Sequence, residues 1–448
     1  MARDGGAAAR FGAFAIEAAP PPEARARAAA AVLDTIGVAI AGSAEPAARI
    51  VQQVVAAESP GEGTILGTRV HASASGAALA NGTAAHAHDF DDMCFVSLAH
   101  PSAPLVAAAL AAAEQAHASG RALLDAYVVG FELEARLGRT MNPRHYQRGW
   151  HCTSTLGTVG AAAASARLLG LDTGAAGHAV AIGASSASGL KENFGTMVKP
   201  LHAGLAARNG VLAALLAGHG MTASALALDG PQGFLHAMDG EHPSLDAEAG
   251  DLGRRWEILD TGIAVKLYPS CAGTHPTLDA ILDLRRREAF TAVDVESVDI
   301  RVDSITPTVL IYDRPATGLE AKFSLPFCVA AAIAAGRVGL DTFDVAGLGD
   351  PAVAALMPRV TMRADPALDG VAAPLTQARI AVRLLDGRTL TASASGARGY
   401  PELPASTDEL RAKFIGCAQL AIPQPAAERL LASLEHLEQL RDVRDLFL

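Results

Sequence analysis

Five lysines stand against 31 arginines in this chain of 448 residues, and two of the five, Lys191 and Lys199, fall within residues 191–209, KENFGTMVKPLHAGLAARN. A composition that has exchanged lysine for arginine nearly everywhere keeps lysine where arginine will not serve. A buried ammonium can give up its proton, and a guanidinium effectively cannot. Lys199 lies among Gly, Pro, Met and His, with no acidic residue along the chain nearer than Glu192. That setting suits a tuned base; an ordinary ion-paired lysine is the other reading of the same residues. Lys413, in the C-terminal AKF stretch, falls away from these motifs, and its exchange for arginine is expected to do little.

The densest ionisable cluster is His86-Ala87-His88-Asp89-Phe90-Asp91-Asp92. Histidines and carboxylates this close suit zinc or manganese. They equally suit metal-free orientation of a substrate, or a polar network at a helix end. His100 and His151 each stand at the edge of an Ala-rich segment among small polar residues, where an imidazole can move protons near neutral pH or merely cap a helix. Lys266-Leu267-Tyr268-Pro269-Ser270-Cys271, followed by Thr274-His275-Pro276, places ionisable groups where the character of the chain changes. There is no GxxxxGK[ST], no GxGxxG after a strand and no GxSxG, which argues against nucleotide cofactors and serine-hydrolase chemistry.

The elements that position these residues are mostly helical. Helices are expected at residues 24–41, 46–58, 73–87, 103–118, 123–137, 156–169, 175–188 and 200–217, with Ser73 as an N-cap and Pro46 in a first turn. Almost no strand signal precedes residue 260. Beyond it, residues 293–302, 359–362, 379–385 and 389–393 alternate as strands, with Asp386-Gly387 as a hairpin turn. Helices at 274–288 and 323–335 fall between them, and the chain reads as helical again from 406 to 448. The fold class expected is mainly α with α+β. Residues 1–266 and 401–448 form a large all-helical domain, and residues 267–400 a smaller inserted α+β lid. A cleft between two such domains is a common place for a small-molecule site.

Length favours two domains. A net charge of −11 argues against nucleic acid as partner, though a local basic pocket can still receive an anion. Five widely spaced cysteines without CxxC read as reduced thiols of a cytoplasmic protein. The N-terminus shows no signal-peptide core, and apolar runs such as 103–113 are too short for a bilayer. Ala-rich helices bury little area each, so a homodimer with a large helical interface is expected.

HAHDFDD, HPSAPLVAAAL, YQRGWHCTSTLGT, MVKPLHAGLAARNG, KLYPSCAGTHP, AKFSLPF and RGYPELP occur here in the order and spacing of the MmgE/PrpD family, which the chain resembles over nearly its whole length. That family includes 2-methylcitrate dehydratase, cis-aconitate decarboxylase and iminodisuccinate epimerase. The resemblance implies a helical body with an inserted lid, a homodimer, no metal or organic cofactor, and a small di- or tricarboxylate substrate. It implies catalytic roles for Asp89, His100, Tyr146, His151, Lys199 and Lys266, and carboxylate binding by His202, Arg208, Cys271 and His275. Cis-aconitate decarboxylases carry threonine, histidine and tyrosine where Met93, Cys271 and Phe327 stand, which argues against that substrate. A hydro-lyase is preferred, with an epimerase as runner-up, since both reactions begin by removing a proton next to a carboxylate or imine; a cis-aconitate decarboxylase, a metal-dependent hydrolase using residues 86–92 and a non-catalytic binding protein rank below them.

Overall fold

The computed structural model describes residues 6–239 and 244–447; residues 1–5 and 448, the ends of the N- and C-terminal readings above, lie outside them. The helical body opens with α1 (Ala7–Glu17), α2 (Pro22–Gly42), α3 (Pro46–Glu58), α4 (Ala74–His86) and α5 (Ser102–Ala116). It continues through α6 (Gly120–Met141), α7 (Cys152–Leu168), α8 (Thr173–Ser186) and α9 (Val198–Gly218). Local signals set the starts: Pro46 opens α3, and the Ser73 hydroxyl accepts the Gly76 N–H at 3.2 Å to cap α4. α1 is absent from the sequence expectations, although Phe11, Phe14 and Ala15 give it a buried stripe. So is the two-stranded ribbon of β1 (Gly63–Thr64) and β2 (His71–Ala72), too short to leave a periodic signal.

Small residues let these helices approach closely. α9 is long and apolar enough to cross a bilayer, longer than the apolar runs singled out in the sequence. It is instead laid between α4 and α7. A Cβ on Gly204 would stand 2.3 Å from the Leu79 carbonyl oxygen, and one on Gly210 would stand 2.4 Å from the Ala161 Cβ. This contact carries the residues of α9 to the end of α4, where the site forms.

The lid holds a four-stranded sheet of β3 (Val295–Val302), β4 (Val360–Ala364), β5 (Gln377–Leu384) and β6 (Thr389–Ser395), in the order β4-β3-β5-β6. β3 and β4 run parallel, and the other pairs antiparallel. The parallel pair needs a crossover, which includes α11 (Leu325–Ala335); α10 (His275–Glu288) precedes the sheet. Alternation along β3 slips phase at Ser297, and the register shifts there as a bulge. Val293, expected in the strand, sits in a 3₁₀ turn before it and is exposed. Gly387 takes φ of 90° in the expected hairpin turn.

The chain then returns to the body as α12 (Thr407–Ala418) and α13 (Gln424–Glu435). Ser406 and Glu409 form a capping box on α12, and the Phe414 ring packs over Gly37 of α2. All five cysteines are free and buried.

Candidate active site

The chain leaves α4 in a turn with Asp89 at φ 52°, a left-handed conformation that aspartate tolerates better than most residues. The turn aims the Asp89 carboxylate inward, against two ammoniums. Lys199, in the first turn of α9, donates to one oxygen. Lys266, fully buried where the chain passes into the lid, donates to the other at 2.9 Å and to the Asp89 carbonyl at 2.9 Å. Burial alone would push the Asp89 carboxyl up; the Lys199 and Lys266 ammoniums outweigh it and hold the group well below the usual carboxylate range.

Histidines line the other side. His86 ends α4 with both ring nitrogens engaged: Nδ1 lies 2.7 Å from Asp91 and Nε2 lies 2.8 Å from Lys199 Nζ. The carboxylate of Asp91 fixes the Nδ1–H tautomer, which leaves Nε2 to accept from the lysine. His100, held by a 3.0 Å bond from its N–H to the Thr153 hydroxyl of α7, stands 3.8 Å from Asp89 and 3.5 Å from Asp91. His151 precedes α7, and its Nδ1 lies 3.0 Å from Nδ1 of His202, one turn along α9 from Lys199. Its Nε2 is buried with no partner. If His151 Nδ1 carries the shared proton, Nε2 is a free lone pair. Burial first, then the nearby lysines, pushes the imidazolium forms of His86, His100 and His151 down; His202 is lowered to about 4. These rings are neutral near pH 7.

The remaining expected residues fall in three groups. Tyr146 is buried at the wall, its hydroxyl pushed well up by burial, and Lys191 Nζ lies 3.5 Å from its ring centroid. Cys271 is buried close by, its thiol raised by burial to about 11. His275 is fully buried with Nε2 3.1 Å from the Ser270 carbonyl oxygen, in a shell behind Lys266. Arg208 is not brought in. It is nine residues beyond Lys199 on the same helix, about half a turn out of phase at roughly 100° per residue, and it lies exposed.

Two more expectations are corrected. Lys199 has no acidic neighbour along the chain, but Asp89, 110 residues earlier, supplies one, so it is ion-paired after all. Lys413 is not remote: it is buried, donating to Asp34 at 2.9 Å and to the Phe90 carbonyl at 2.8 Å. The acidic cluster itself divides. Asp89 and Asp91 face the site, whereas Asp92 accepts the Ser102 N–H at 3.2 Å, capping α5, with burial raising its carboxyl to about 7. His86 was read only as part of that cluster; its place at the helix end, five residues before Asp91, is the signal that it faces back into the site.

Ligand atoms of His86, Asp89, Asp91 and His100 lie within 4.8 Å of one another, close enough for a metal ion. Asp89 is already shared by two ammoniums and both nitrogens of His86 are occupied, so a dication would have to displace Lys199 and Lys266. The space enclosed by His86, Asp89, Lys199, Lys322 and Phe323 is about 10 Å³, room for one water. A groove of about 590 Å³ between Leu66 and Phe447 is far larger, but it gathers no comparable convergence of ionisable side chains.

Known proteins share this arrangement of sequence. The profile of the MmgE/PrpD N-terminal domain matches residues 9–245, and that of its C-terminal domain matches residues 268–439, running on through α12 and α13. A cis-aconitate decarboxylase-like protein of Aspergillus oryzae is 29% identical over 442 residues, 93% of this chain and 90% of that protein. Human cis-aconitate decarboxylase is 28% identical over 426 residues, 92% of this chain and 87% of its own length. The mouse cis-aconitate decarboxylase is 28% identical over 383 residues, 82% of this chain and 76% of its own. Matched over both domains and most of its length, the chain belongs to the MmgE/PrpD family.

Proposed function

We propose that this chain is an enzyme that moves a proton at the carbon next to a carboxylate of a small di- or tricarboxylic acid, using its own side chains. One observation carries the reading: two ammoniums share a single buried carboxylate, and a neutral imidazole with an unpartnered nitrogen, His151, packs against the His86 ring that contacts one of them. Lys199 and Lys266 would receive substrate carboxylates by charge-assisted hydrogen bonds, exchanging part of their contact with Asp89. His151, neutral and with Nε2 unpartnered, is the base within reach when its Nδ1 donates to His202. His86, turned by Asp91, holds Lys199 in place. The enclosed space is too small for such an acid, so binding requires the lid to part from the body.

Loss of water is placed first and epimerisation second, because Met93, Cys271 and Phe327 are not the residues expected of a cis-aconitate decarboxylase. The named relatives keep loss of CO₂ in the comparison. A panel of citrate-like, aconitate-like and aspartate-like acids, read by mass change and by deuterium uptake from heavy water, separates the three reactions. Lys199→Arg should keep the fold and lose at least ~100-fold in turnover, because a planar guanidinium cannot replace an ammonium that meets His86, Asp89 and a substrate carboxylate from one point, and the substrate is misplaced. No deuterium uptake into any acid, or near-normal turnover by Lys199→Arg, would overturn the reading.

A further inference from the structure

Four of the five lysines end on the seven residues 86–92. Lys199 reaches His86 and Asp89, and Lys266 takes the Asp89 carbonyl and carboxylate. Lys322, at the entry to α11, donates to the His88 carbonyl at 2.7 Å and to the Pro269 carbonyl at 3.0 Å, with Nζ 4.5 Å from the Phe343 ring centroid. Lys413 of α12 donates to the Phe90 carbonyl at 2.8 Å. The carbonyls of three consecutive residues, His88, Asp89 and Phe90, therefore each end on a different lysine. The fifth lysine, Lys191, donates to the Tyr146 carbonyl at 3.2 Å, beside the same site.

No backbone N–H reaches the carbonyls of residues 88–90 among the described residues. They follow the C-terminal end of α4, where the helix dipole favours cations. Each niche is tight: Lys266 is 0% exposed, Lys322 5% and Lys413 9%. An ammonium offers three donors from one point, which suits two or three converging acceptors. A guanidinium would bring a planar fork of five donors and leave some unmet.

We propose that Lys322 and Lys413 are positioning residues for this site: by gripping the carbonyls on either side of Asp89 they fix it in the left-handed conformation that presents its carboxylate to Lys199 and Lys266. Lys413 does not line the small space beside Lys199; Lys322 does, but its ammonium is engaged by the His88 and Pro269 carbonyls. The proposal rests on reading Asp89 as a site residue. Its test needs no substrate, so it can fail while the proposed reaction stands, and the reverse.

Crystal structures of the variants read the turn directly. In Lys322→Met and Lys413→Met, Asp89 should leave the left-handed region and its carboxylate should lose its contacts to Lys199 and Lys266. Mere loss of a neighbouring cation would leave the Asp89 backbone as it is. Val298→Ala, a core truncation in the lid sheet, should weaken the fold and leave Asp89 and both contacts in place. Should the methionine variants not fold, arginine at the same two positions keeps the charge and is read in the same way. An Asp89 that keeps its left-handed conformation and both contacts in folded variants overturns the proposal, as does failure of all four lysine variants to fold, since these lysines would then hold the whole structure rather than one turn.

Discussion

The two halves of this molecule bury different things. In the lid, β3 and β5 put Val298, Ile300, Val302, Ile380 and Val382 inside, while Arg301, Arg379 and Arg383 stay out. In the helical body, α5 and α7 are buried on nearly every face, and the interior holds Asp34, Asp91, Asp92, Glu132, Glu134, Arg136, Lys199 and Lys413. Both oxygens of Glu134 lack a partner, and burial, with Asp92 nearby, pushes its carboxyl well above the usual carboxylate range. The lid is stabilised in the ordinary way, by apolar area. The body spends part of its stability on buried polar groups, and the site lies where those groups are densest. Alanine and glycine make this workable: helices that approach closely exclude water, and excluded water gives each remaining charge contact its strength.

The sharpest way to break this contrast is at Lys413. Lys413→Met leaves Asp34 buried without its cation, which should cost about 3–5 kcal/mol at pH 7, the usual penalty for an orphaned buried charge. The pH dependence has a definite sign. Burial already raises the Asp34 carboxyl above its ordinary value, even against the pull of Lys413, and the variant raises it further. A carboxyl whose folded value lies above its unfolded one stabilises the fold while protonated and loses that contribution as pH rises. The stability gap between wild type and variant should therefore be small near pH 4 and widen towards pH 7 in urea titrations. A gap independent of pH would mean that Asp34 is not the group left behind.

The contrast also governs what could be read in the sequence. Alternation revealed the lid strands, and the slip of phase at Ser297 even marks the bulge. Pro46 and Ser73 marked the starts of α3 and α4, α3 to the residue, whereas α6 and α7 begin three and four residues before their expected starts. The convergence of the lysines was not legible from position, because Lys322 and Lys413 meet the turn across 234 and 323 residues of chain. The signal that existed was scarcity: if lysine survives only where arginine fails, the argument applies to all five lysines and not to Lys199 alone. Arg208 shows the opposite error, in which a shared motif outweighed the phase of the helix. His151, His202 and Lys199 were legible as types, but their hydrogen bonds were not, since helices buried on all sides leave no periodic face to show where a side chain points.

The smaller effects test the packing side of the same contrast, and they run in opposite directions of volume. Gly210→Ala adds one methyl between α9 and α7, where a Cβ would meet the Ala161 Cβ at 2.4 Å and the Ala162 nitrogen at 2.7 Å. Alanine is the better helix former by about 1 kcal/mol, but overpacking against backbone that cannot step aside costs about 1–3 kcal/mol and more at such distances. The strain wins, and the body should be weakened by the added methyl. Ile300→Val removes one methyl from the centre of β3, where Ile300 is fully buried opposite Ile380 and Met362. Valine keeps the β-branched shape that the strand favours, so only transfer and cavity terms are lost, about 0.5–1.5 kcal/mol. Denaturant midpoints of the two variants should thus fall in the order Gly210→Ala below Ile300→Val below wild type. If Gly210→Ala were instead as stable as wild type, the close approach that brings Lys199 and His202 to the end of α4 would have slack, and the body would owe its form to the same apolar burial as the lid.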